Sequence, residues 1–358
     1  MRGKNNVIKE MVSRINEFNE EINIIELSSV HTADVEKYLL KDILNKNINI
    51  ISVSGCPITL IPAFYIDYLF NLSLKEDVII LAYSDLLKIP GSTPDITLGK
   101  AKDKGANIRV IFSSIDAINI ALHNHTKKVV FIASGFETNI GSSVIAIKEA
   151  ETIGLDNFFI FSLHRNMEGI IRYFLENQNK KIDGLILPGN FSLVMGEEGY
   201  DFLNGYELPS VITGFSFLDI LSSIEIIVNQ KINGTGQLVN NYNLPMPYEG
   251  NKIAKGYIKE YFDIDDDFNR ALGKVPGSVY RLKKKFDKYN IDKIYPLEEY
   301  ISKLSIDSSN NEQCEKVMKG AILPLECLCF KKQCTRLNPI GPTMASSEGI
   351  CFVVSKYT

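Results

Sequence analysis

Five of the six cysteines crowd into the end of the chain, at Cys314, Cys327, Cys329, Cys334 and Cys351, and only Cys56 precedes them. Twelve, six and sixteen residues separate Cys314, Cys327, Cys334 and Cys351, wider intervals than the two-to-four-residue knuckles of structural zinc sites. Thiolates are soft ligands, and four of them satisfy an iron-sulfur cubane if the fold gathers them. Spacing alone leaves cluster and zinc both open. Cys329, two residues from Cys327, reads as a spare thiol, an alternate ligand or a small buried hydrophobe.

Four other positions could carry chemistry. Cys56 follows an apolar run and precedes Pro57, a place for a reactive or metal-binding thiol and equally for a structural cysteine. His31, one of four histidines, reads as a ligand, a proton donor or a hydrogen-bonded loop residue. Glu137 reads as an acid or base with a raised pKa, or as a charge at a helix N-terminus. Asp85 reads first as a helix N-cap, with Ser92 on a loop facing the same crevice. Gly55, Gly135 and Gly189 suit tight turns better than phosphate binding.

These residues follow a repeated pattern of apolar runs that end in small or polar residues: Ile22–Leu27, Ile48–Val53, Val78–Tyr83, Asn107–Phe112, Val129–Ala133, Phe158–Phe161 and Leu185–Leu187. Strands apolar on both faces, alternating with helix-length segments, predict parallel sheets covered by helices, in two Rossmann-like α/β units without a dinucleotide fingerprint. Ligands of such sheets bind beyond the carboxyl ends of the strands. That nominates Ser28–Thr32, Gly55–Pro57, Asp85, Gly135–Thr138 and Pro188–Asn190. The expected divisions are 1–125 and 126–234 for the α/β units, and 235–358 for a linker and a small cysteine-rich iron-sulfur lobe. Residues 7–21 show helical spacing, 251–262 a further helix, 263–267 an acidic stretch in a loop-rich connection, and 307–312 an exposed hinge.

The 358 residues exceed one ordinary core. Apolar residues at 45% and charged residues at 23% are those of a globular protein. A net charge of −4 gives no basic footprint for nucleic acid, no run approaches a membrane span, and the polar N-terminus points to the cytoplasm.

Several segments together resemble the hydrogenase maturation factor family HypD: Gly55-Cys-Pro57, Pro90-Gly-Ser92, Gly135-Phe-Glu-Thr138, Pro188-Gly189, Asp219-Ile-Leu221, Gly250-Asn251, Asn338-Pro-Ile-Gly-Pro342 and Ser346-Ser-Glu-Gly349, in the family's order, with the four tail cysteines. The resemblance implies a [4Fe-4S] cluster on Cys314, Cys327, Cys334 and Cys351. It also implies a scaffold on which the iron of nickel-iron hydrogenases becomes an Fe(CN)2CO moiety, with HypC-like and HypE-like partners. Cys56, as an iron ligand, and His31, Thr32 and Glu137 are the cleft residues it carries over. The family's first cleft motif aligns with Ser28–Thr32 and its second with Gly55–Thr59, so Ser28 and Thr59 stand where the family has cysteines. Asn190, Ser216 and Thr343 replace a histidine, a glutamate and a further cysteine. The alternative reading is a diverged paralog that keeps the cluster as a redox or binding scaffold for another partner, without cyanide or carbon monoxide chemistry.

Overall fold

The computed structural model describes residues 2–178, 180–301 and 312–358. The expected hinge at 307–312 lies outside them except for Glu312, which opens the Glu312–Met318 helix. Two parallel sheets carry the architecture. The first has the order β2-β1-β7-β8-β9, from β1 (Ile22–Glu26), β2 (Ile48–Ser52), β7 (Gly184–Pro188), β8 (Ser210–Thr213) and β9 (Leu238–Asn241). The second has the order β4-β3-β5-β6, from β3 (Val78–Ala82), β4 (Ile108–Val110), β5 (Lys128–Gly135) and β6 (Phe158–His164). Beside them lies an antiparallel hairpin, β10 (Phe262–Asn269) and β11 (Gly273–Leu282).

The apolar runs form strands because both faces of each sheet are buried. Ile24 of β1 packs with Val35, Ile186 and Ile220 on one face, and Ile25 with Leu185, Leu187 and Ile212 on the other. Ile80 of β3 and its neighbours Ile79 and Leu81 divide the second sheet the same way. Each such side chain contributes about 1.5–3 kcal/mol by leaving water.

The sheets do not follow the divisions expected from chain order. Strands β3 and β4 pair in one sheet with β5, across the expected border at 125, while β1 and β2 are joined by β7, β8 and β9. The chain leaves the first sheet after β2, builds the whole second sheet, and returns at β7 to the open edge of β1. Periodicity marks strands but not their partners. The acidic stretch at 263–267 is strand β10 rather than loop, with most of its side chains in solvent. The 251–262 expectation is met by the Lys252–Tyr261 helix, capped by Asn251 Oδ1, which accepts from the Ile253 and Ala254 amides at 3.0 Å. Among the described residues no helix is long and apolar enough to cross a membrane.

Candidate functional site

In the first sheet β1 is flanked by β2 on one side and β7 on the other, which makes its carboxyl end a topological switch point, the usual place for a ligand crevice. A cleft of about 410 Å³ opens there. Ser28 and Ser29 line it from the end of β1, Gly55 from β2 and Asn190 from β7, while Phe136 and Asn139 come from the end of β5 in the other sheet. Gly55 is required by close approach: a Cβ would lie 1.9 Å from the Leu27 carbonyl oxygen.

The nominated strand ends therefore converge, but the side chains of Cys56, His31, Thr32 and Glu137 lie behind the cleft wall rather than on it. Cys56 Sγ is buried, 3.7 Å from Ser346 Oγ and 3.7 Å from Glu348 Oε2. Among the described residues Glu348 is the only ionisable side chain on the wall. Burial first, and the Glu348 charge second, push the thiol up to about 12, so it is protonated near neutral pH. His31 is fully buried and stacks on Phe215, a wall residue, at 5.1 Å between ring centres. Its Nε2 lies 3.0 Å from the Gly214 carbonyl; a carbonyl only accepts, so Nε2 carries the proton. Burial lowers the imidazole to about 4, and Nδ1 has no partner among the described residues.

Glu137 opens the Glu137–Thr152 helix, and its Oε1 accepts from the Met167 amide and the Tyr280 hydroxyl, both at 3.0 Å. Oε2 is buried without a partner among the described residues. Burial outweighs these hydrogen bonds and pushes the carboxyl up to about 7. Glu26, a lone acid in an apolar strand, went unnoticed in the sequence and behaves alike. It accepts from the Ser28 amide at 2.9 Å and from the Thr32 hydroxyl, and burial pushes it up to about 7. Thr32 thus serves Glu26, not the cleft. Asp85 caps no helix: it lies inside the Ser84–Lys88 turn and accepts from the Ser347 amide (3.0 Å) and hydroxyl. It anchors the segment that carries Glu348. Ser92 donates its amide to Asp67 Oδ1 at 2.8 Å.

The tail is built around its thiols. Cys314 lies on the Glu312–Met318 helix, Cys351 in the first turn of the Ile350–Tyr357 helix, and Cys327 ends the Pro324–Glu326 turn. The Thr343 hydroxyl donates to Cys351 Sγ at 3.2 Å and stands 3.7 Å from Cys314 Sγ, while the Ile340 amide donates to Cys334 Sγ at 3.3 Å. Burial pushes Cys314 up to about 11 and Cys351 higher, and the fields of Cys334 and Cys327 add to both. Cys329 is raised by burial and then by Cys327 and Cys334. Val317, Phe330, Met344, Ile350 and Val354 form an apolar shell.

Among the described residues no three His, Cys, Asp or Glu side chains converge on a single metal ion. A cubane asks for another arrangement, since each of its four thiolates bonds a different iron around a bulky core. Four thiols within reach of one another's fields, donors aimed at two of them, and an apolar shell fit such a group. Gly341 adds to the fit: its φ of −113° suits any residue, but a Cβ there would lie 2.4 Å from Cys314 Sγ.

A family profile named HypD, described as "Hydrogenase formation hypA family", matches residues 5–358. The chain belongs to the HypD family. It is 34% identical over 335 residues to the hydrogenase maturation factor HypD2 of Bradyrhizobium diazoefficiens, covering 91% of this chain and 87% of that one. It is 30% identical over 338 residues to the hydrogenase maturation factor HypD of Rhodobacter capsulatus, covering 94% and 89%. A putative hydrogenase expression/formation protein of Methanocaldococcus jannaschii is 31% identical over 361 residues, covering 98% and 97%.

Within this HypD-family chain, the hydroxyls of Ser28, Thr59 and Ser216 are engaged. Ser28 Oγ caps the Ser29–Lys37 helix by accepting from the Val30 amide at 3.3 Å. Thr59 Oγ1 lies 2.6 Å from Ser54 Oγ and donates to the Cys56 carbonyl at 2.7 Å. Ser216 forms a capping box with Asp219 at the start of the Phe217–Ile232 helix.

Proposed function

We propose that this chain is a hydrogenase maturation factor, a scaffold for assembling the Fe(CN)2CO centre of nickel-iron hydrogenases in the cytoplasm with HypC-like and HypE-like partners. One observation carries the reading: Cys56 Sγ touches Ser346 and Glu348, on the segment that runs directly into Cys351. The cleft thiol and the tail thiols are thus joined through five residues of chain. Iron is the cargo, and Glu348 on the cleft wall with Cys56 just behind it would hold it, the thiol giving up its proton as a cation binds. Cys314, Cys327, Cys334 and Cys351 would hold a [4Fe-4S] cluster, which supplies one-electron transfer when bound. The buried His31 stays neutral and supports Phe215 in the cleft wall, and Glu137 and Glu26 sit behind the strand ends as carboxyls that hold a proton up to near-neutral pH.

Infrared spectroscopy of the chain purified without oxygen with a HypC-like partner tests this. Cyanide and carbon monoxide stretching bands are expected, and Cys56→Ala should lose them. A second reading, a redox or binding scaffold for another partner, is favoured by the engagement of Ser28 and Thr59, which leaves the cleft one thiol. Absence of the bands with the cluster intact would refute the first reading.

A further inference from the structure

The turn between β10 and β11 pushes one cation toward the tail thiols. Arg270 is buried, and three hydrogen bonds fix it: its amide donates to the Leu60 carbonyl at 2.8 Å, Nε to the Ile61 carbonyl at 2.7 Å and Nη2 to the Pro90 carbonyl at 2.6 Å. Neutral carbonyls orient a guanidinium without cancelling its charge. Arg270 and Cys314 line the same pocket of about 100 Å³, together with Glu315 and the Gly91–Pro94 loop. A guanidinium stays charged at neutral pH.

We propose that Arg270 is a positioning residue that sets the reduction potential of the cluster on the tail cysteines, its fixed positive charge beside Cys314 favouring the reduced state. This rests on the cluster assigned above. Four thiolates make that site strongly negative, and reduction adds one more electron to it. Net charge and burial are what tune such potentials, and a buried cation is screened less than an exposed one. Glu315 opposes Arg270 from the same pocket, so the two should move the potential in opposite directions.

The test is a potentiometric titration of the full-length, anaerobically prepared protein, with dithionite supplying the electron and the visible absorption of the cluster as readout. Arg270→Gln should lower the ratio of reduced to oxidised cluster at fixed poise about tenfold, about 59 mV for one electron, and Arg270→Lys should restore most of it. Should Arg270→Gln fail to fold, Glu315→Gln carries the test by raising the potential. A formed cluster whose potential moves in neither Arg270→Gln nor Glu315→Gln overturns the inference about Arg270 alone. A wild-type chain that forms no cluster overturns it together with the assignment on which it rests.

Discussion

Replacing Glu137 by Gln should remove a pH dependence of stability that the buried carboxyl imposes. Its folded-state pKa stands at about 7 against the usual 4.5, because burial penalises the charge more than Met167 and Tyr280 relieve it. Between those values the folded chain binds more protons than the unfolded one. Stability contributed by this group is therefore complete below pH 4.5 and is lost as pH rises through 7. At about 1.4 kcal/mol per pH unit, the loss is about 3 kcal/mol. Glu26 has the same direction, the same value and the same window, so it doubles the slope. Glutamine keeps an oxygen for the Met167 amide and the Tyr280 hydroxyl and places a neutral group where Oε2 has no partner. The buried imidazoles of His31 and His164, held down to about 4, contribute the opposite slope below pH 6.5, so the carboxyls are read as a difference between variants: urea midpoints measured anaerobically from pH 5 to 8 should fall less with rising pH, or rise more, in Glu137→Gln than in the parent chain, and this change should about double in the double variant with Glu26→Gln. A slope unchanged by Glu137→Gln would show that the carboxyl is ionised in the folded state and the burial argument wrong.

Gly341→Ala should separate a ligated Cys314 from a free one. A free thiol escapes the new Cβ, 2.4 Å from Sγ, by rotating at a cost of about 1 kcal/mol, whereas a sulfur bonded to iron cannot turn; iron content should drop while the metal-free protein keeps its melting temperature within a few degrees, and full iron would refute the ligand assignment. Cys314→Ala, Cys327→Ala, Cys334→Ala and Cys351→Ala should each lose the cluster and loosen the tail, because metal binding and local folding are coupled; iron analysis and limited proteolysis read both, and full occupancy in one of them would bring Cys329 forward as the ligand.

Strands with both faces buried were legible in the sequence because their runs are mostly apolar, and β1, β2, β3, β5 and β7 stand within three residues of where those runs place them. Strand β6 runs on to His164 because the second sheet can bury a polar end: the His164 imidazole is paired with Ser143 Oγ at 2.9 Å. Strand β9 is a half-exposed edge and β10 keeps most of its side chains in water, so neither shows an apolar period. Strand order was not legible at all, since pairing of β1 with β7 spans about 160 residues and leaves no local trace. At the site, the strand-end rule found the cleft from topology alone, but not which side chains face it. The peptide amides at a strand end draw in the nearest acid: Glu26 turns to the Ser28 amide and Glu137 to the Met167 amide. The predicted polar residues thereby become supports, and their neighbours become the wall.

The hydroxyls of Ser28, Thr59 and Thr343 all work locally. At Ser28 the hydroxyl caps a helix, a role for which serine is among the best residues and a thiol a weaker acceptor. At Thr59 it ties Ser54 to the Cys56 carbonyl and so fixes the backbone that presents the remaining cleft thiol. At Thr343 it reaches two tail sulfurs, and a donor to a cluster sulfur stabilises added electron density. In each case the hydroxyl hydrogen-bonds locally. Ser28→Cys would therefore cost the helix its cap, about 1 kcal/mol, before it could add a ligand.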